Sequence, residues 1–140
     1  MTRPTRSEMF AEANLEVLEF WADAVLANTA VRVHNSPAPE LAHMQFRDPV
    51  RGQAFFLGEV LFHECSVEIG TTWGYGYALG QDPERALYAA VLDGALNAGH
   101  PLSTQIEAAL EGAAADAVRR LAVDAQLAER TRVRFEVMEG

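Results

Sequence analysis

The stretch from Phe55 to Gly70 constrains this chain more than any other. Its latter half alternates, with Cys65, Val67 and Ile69 set against Glu64, Ser66 and Glu68. A period of two places one set on each face of a β-strand. Its first half, Phe55 to Phe62, is apolar on both faces, interrupted only by Gly58 and Glu59. A strand of that kind needs cover on each side, more than one small domain readily supplies. Gly58 is placed to form a bulge or bend.

The returning strand is expected over Thr71 to Leu79, as a hairpin partner. Trp73, Tyr75 and Tyr77 share one face, while Gly74 and Gly76 leave the other bare. Bare backbone lets a neighbouring backbone or side chain come close. Two more strands are expected upstream. Val31 and Val33 mark a short one, stopped by Asn35-Ser36-Pro37, and Leu41 to Phe46 marks the next. Asp48-Pro49 and Gly52 then supply a connecting turn.

Helices flank this block. Phe10, Ala13, Val17, Trp21 and Val25 recur at helical spacing, with Ser7 as the expected N-cap and an end near Asn28. After Gly80, Asp82 caps a helix whose first residue is Pro83, where a missing N–H removes no helical bond. Gly99 ends it. A longer helix is expected from about Ser103 to Glu129, its apolar stripe thinned by alanines. The tail, Thr131 to Met138, alternates like a final strand or an extended arm. The reading is a single α+β domain over residues 1–140. It has an antiparallel sheet of about four strands, with an N-terminal helix and two C-terminal helices packed on it.

Charge narrows the function. The chain has 140 residues, a formal charge of −9 and no lysine, so nucleic acid and anionic membranes are poor partners. A lone cysteine, Cys65, and the lack of a signal-like N-terminus or an apolar span point to the cytoplasm.

The chemistry-bearing residues do not form a recognisable site motif. His63 and Cys65 share a strand face, but His34, His43 and His100 are scattered and no C-x-x-C or H-x-x-x-H is present. No metal site or cofactor is expected, since zinc needs three or four convergent ligands. Cys65 alternates with Val67 and Ile69 as a core residue would. Gly74 to Gly80 lies between a strand and a helix, yet Asp82 sits where a phosphate would bind, with Arg85 one turn in. Asp93, inside the apolar segment Ala89 to Leu96, reads as a carboxylate in a salt bridge with an arginine, and Arg85 is the expected partner. No catalytic residue is assigned. Asp82, Arg85 and Asp93 are taken as structural.

An ordered set of motifs resembles the G-subunit family of the carbon–phosphorus lyase core complex (PhnG). It comprises Gln45-Phe46-Arg47-Asp48-Pro49, Phe56-Leu57-Gly58-Glu59-Val60, Gly74-Tyr75-Gly76-Tyr77, Gly80-Gln81-Asp82-Pro83-Glu84-Arg85-Ala86, Val91-Leu92-Asp93-Gly94-Ala95-Leu96 and Thr131-Arg132-Val133-Arg134-Phe135. The chain departs from the family at His63-Glu64, where a Thr-Arg pair is usual, at Gln81 for arginine, and at Arg134 for aspartate. The resemblance implies a non-catalytic subunit that works with the I-type subunit first, and with the H, J and L types. The complex couples a phosphonate to ATP with loss of adenine. Nucleoside transfer belongs to the I subunit and bond cleavage to the iron–sulfur J subunit. Phe56, Leu57, Glu59, Phe62, Tyr75 and Tyr77 are the expected partner-binding residues. The rival readings are a homo-oligomeric small-molecule binding module and a small stand-alone enzyme using His63 and Cys65.

Overall fold

A computed structural model describes residues 4–47, 50 and 54–139, with side chains left undescribed at 42–47, 54–59 and 127–139. Four helices and three strands follow in the order α1 (Arg6–Glu12), α2 (Leu15–Asn28), β1 (Arg32–Arg47), β2 (Ala54–Ile69), β3 (Thr72–Leu79), α3 (Pro83–Asn97) and α4 (Ser103–Glu139). The sheet is antiparallel with order β1-β2-β3.

The sheet therefore has three strands, not four. The turn expected at Asn35-Ser36-Pro37 is absorbed into β1 as two register shifts, between Val33 and Asn35 and between Asn35 and Ala38. A bulge takes up extra residues without reversing the chain, and an edge strand tolerates prolines that cannot donate to a ladder. The irregularity expected at Gly58 is present, because Met44 pairs with Gly58 and Gln45 with Phe56. The tail expected as a strand or arm continues α4 as helix to Glu139.

The N-terminal helix is two helices. Thr5, rather than Ser7, caps α1, in a reciprocal box with Glu8. Extended backbone at Ala13 and Asn14 then breaks the chain before α2. Asp82 accepts the Arg85 N–H at 3.3 Å and starts α3, with Pro83 in its first turn. Gly99, with φ of 69°, closes the α3–α4 turn. His100 pins that turn to α2. Its Nδ1 accepts the Leu102 N–H at 3.1 Å, so Nε2 carries the hydrogen and donates to Thr29 Oγ1 at 2.8 Å.

The central element is α3. Seven of its residues are buried, Ala86, Ala89, Ala90, Val91, Leu92, Gly94 and Ala95, so it is covered on two sides. One side meets the sheet, where Cys65, Val67, Ile69 and Ala78 are buried. The other belongs to the same core cluster as Leu18, Ala22 and Val25 of α2 and Ile106 and Leu110 of α4. Burying each of the larger side chains contributes roughly 1.5–3 kcal/mol, so the helices form one packed layer over the sheet.

Candidate interaction surface

The glycines of β3 decide how the sheet is used. A Cβ at Gly74 would overlap backbone atoms of Ala90 and Gly94, and one at Gly76 those of Ala86 and Ala90. The close approach anticipated from these glycines is made by α3 itself. Burial along β3 alternates accordingly, with Gly74, Gly76 and Ala78 inward and Trp73, Tyr75, Tyr77 and Leu79 exposed.

The outward face is an aromatic row. Trp73 and Tyr75 stack with ring centroids 6.2 Å apart and planes 14° from parallel. His34 of β1 lies against Trp73 at 4.3 Å and reaches Glu68 with its Nε2 at 3.3 Å. The register sets Glu64 opposite Tyr77, Ser66 opposite Tyr75 and Phe62 opposite Leu79. Burial, with Glu64, Tyr75, Glu40 and Asp93 adding negative potential, pushes the Tyr77 hydroxyl above its usual range.

The free edge of β3 is closed where α3 reaches it. The Tyr75 N–H donates to Asp93 Oδ2 at 2.9 Å, and Asn97 Nδ2 donates to the Trp73 carbonyl at 3.1 Å. Arg6 Nη1 completes the cluster, 2.9 Å from Asp93 Oδ1 and 2.7 Å from Asn97 Oδ1. Asp93 does hold an arginine, but that arginine is Arg6 and not Arg85. Arg85 turns the other way. Its Nε donates to Asp82 at 2.8 Å, and Nη1 donates to the carbonyls of Phe10 at 2.9 Å and Ala13 at 2.6 Å. A guanidinium at the last turn of α1 satisfies carbonyls the helix leaves open and suits its negative end. Asp93 and Arg85 thus serve two separate joints.

A second feature comes from strand lengths. β2 has sixteen residues but pairs with β3 only from Phe62 to Ile69. From Ala54 to Val60 it pairs with β1 alone among the described residues, up to Arg47 opposite Ala54, while the Leu61 carbonyl accepts the Gly80 N–H at 2.7 Å. This makes a two-stranded ribbon roughly 25 Å long. Leu41, at its base, is 65% exposed. The side chains of Phe56, Leu57 and Glu59 lie outside the described residues, while Phe62 is half-buried. The ribbon brings Phe56, Leu57 and Glu59 onto one segment, and Tyr75 and Tyr77 lie on the separate β3 face.

The α4 helix forms a third surface. Ile106, Leu110, Ala114 and Ala117 are buried, whereas Val118, Leu121 and Val123 are exposed by more than half. An open groove of about 730 Å³ runs between α2 and α4 past Trp21 and Ala113, with Arg119 at its side. Arg119 is ion-paired with Asp116.

The inward sheet face is unsuited to nucleophilic chemistry. Cys65 is fully buried, and burial pushes its thiol up to about 11, away from the reactive thiolate. His63 Nδ1 donates to the Gly80 carbonyl at 2.8 Å. Among the described residues, no three His, Cys, Asp or Glu side chains form a metal-holding group. No helix there is long and apolar enough to cross a membrane.

These features define a small α+β protein with a glycine-faced sheet on a central helix and extended surfaces left open. A family model described as "Phosphonate metabolism protein PhnG" matches residues 1–140. The chain belongs to the PhnG family of phosphonate metabolism proteins. A comparison with curated proteins found no match.

Proposed function

We propose that this chain is a non-catalytic G subunit of the carbon–phosphorus lyase core complex in the cytoplasm. It supports transfer of a phosphonate to ATP, the step that yields alpha-D-ribose 1-methylphosphonate 5-triphosphate. Its first partner is the I-type subunit, with the H, J and L types completing the assembly.

The observation that carries this reading is the outer half of the β1–β2 ribbon, paired with no third strand among the described residues. An isolated two-stranded ribbon is marginal in water. This one bears Phe55, Phe56, Leu57, Val60 and Leu61 on β2 alone. Apolar sequence on a ribbon with no third strand beside it among the described residues favours cover by another chain. Phe56, Leu57, Glu59 and Phe62 are the contacts proposed there.

The test is co-purification with the I-type subunit after Glu59→Lys and, separately, Leu41→Arg. Each variant is expected to lose most of the bound subunit while keeping the wild-type melting temperature. Undiminished co-purification of both would count against the ribbon as the docking element.

A further inference from the structure

We propose that the outward face of β3 receives an arginine-bearing segment of the partner subunit, with Glu64 as its anchor and Tyr75 and Tyr77 as its platform. This rests on the assembly reading above and adds the chemistry of one contact.

Three observations support it. Trp73, Tyr75, Tyr77 and Leu79 are all more than a third exposed, a continuous aromatic and apolar row on one strand. Native surfaces seldom leave such rows unused. Second, Glu64 is half-buried beside this row, and it has no cationic partner among the described residues. Its neighbours differ. Glu68 has His34 at 3.3 Å, with Arg32 opposite it in the register, and Asp93 has Arg6 at 2.9 Å. Third, Glu64 and Glu40 together make the surroundings of Tyr77 negative.

Arginine fits these three better than lysine. Its planar guanidinium stacks on aromatic rings while two of its N–H groups reach one carboxylate. The neighbouring edge is shut, because Asp93 and Asn97 already hold Tyr75 N–H and Trp73 C=O. The incoming segment therefore lies across the face instead of adding as a strand there. A second copy of this chain is disfavoured. The protein carries −9, and face-to-face pairing would bring two acidic surfaces together.

The experiment measures affinity of the purified I-type subunit for wild type, Glu64→Gln, Glu64→Arg and Tyr77→Ala, each checked by thermal melting. Glu107→Arg, an equal charge change on the exposed side of α4, is the control. Glu64→Arg is expected to weaken binding at least tenfold, Glu64→Gln and Tyr77→Ala less, and Glu107→Arg not at all. Wild-type affinity should fall as salt rises. If wild type binds and the Glu64 variants bind equally well, the arginine contact is overturned and the assembly reading stands. Loss with Tyr77→Ala alone, independent of salt, would mean an apolar occupant and likewise overturn it. If wild type does not bind the subunit, the assembly reading fails and this inference with it. Should Glu64→Arg melt early, the Glu64→Gln and Tyr77→Ala pair decides.

Discussion

The carboxylate of Asp93 on α3 accepts the backbone N–H of Tyr75 on β3 at 2.9 Å, so a helix side chain occupies a ladder position that a further strand would take. The same carboxylate holds Arg6 of α1, and Asn97 beside it caps the Trp73 carbonyl. One cluster thereby ends the sheet and ties the chain's first helix to its central one. Edge strands are commonly protected by such devices.

Replacing Asp93 with alanine is expected to destabilise the fold by roughly 1–3 kcal/mol, the usual penalty for stripping partners from part-buried polar groups. It also reopens the β3 edge. Urea denaturation should show the loss, and light scattering a concentration-dependent rise in mass. Arg6→Met should have a smaller effect, below about 1 kcal/mol, because Arg6 is 37% exposed and its pair is screened. An Asp93→Ala protein as stable and monodisperse as wild type would contradict this role.

Two glycines should respond in opposite directions. Gly76→Ala would drive a methyl group into the backbone of α3, so the helix must retreat from the sheet. A loss of about 1–3 kcal/mol or more is expected for such overpacking. Gly112, in α4, has open space where its Cβ would stand. Gly112→Ala should gain roughly 0.5–1 kcal/mol from helix propensity. Paired thermal melts check both signs.

The sequence made some of this legible and hid the rest for physical reasons. Asp82-Pro83 announces α3 through local capping chemistry, and Gly74 and Gly76 announce a close neighbour through their missing side chains. Thr5 and Glu8 have the spacing of a capping box, but Ser7 beside Glu8 is an equally good capping residue type, and only the backbone geometry selects Thr5. Asn35-Ser36-Pro37 has turn composition, and only pairing with β2 turns it into bulges. The partner of Asp93 lies 87 positions away at Arg6, a distance that no local pattern encodes. Of the expected contact residues, Tyr75 and Tyr77 were legible as an aromatic row. Glu64 is left without a cationic partner among the described residues because His34 goes to Glu68 and Arg6 to Asp93.

The α4 helix should divide sharply in sensitivity. Leu110→Ala, in the core, is expected to cost about 2–5 kcal/mol. Leu121→Ala, 61% exposed less than four turns further on, should change stability by under about 0.5 kcal/mol. Denaturant midpoints of the isolated protein distinguish them. A large effect at Leu121 would mean that α4 packs along its length.

Cys65 predicts a pH dependence. Its folded pKa is raised from 9.0 to about 11 by burial, so the thiol binds its proton more tightly in the folded state. The corresponding stability is fully present below about pH 9 and disappears as pH rises through about 11. The loss amounts to roughly 2–3 kcal/mol. Chemical denaturation of wild type and Cys65→Ala at pH 8, 9, 10 and 11 should show the alanine protein losing less over that window. Parallel curves would place the thiol in contact with solvent.

The central claim is that this chain completes an assembly, and mass by light scattering tests it most directly. The protein is measured alone and after co-expression with the I-type subunit. The account predicts a discrete hetero-complex of fixed stoichiometry on co-expression, of a mass the chain never reaches by itself. A stable monomer or homodimer that leaves the I-type subunit unbound would contradict it.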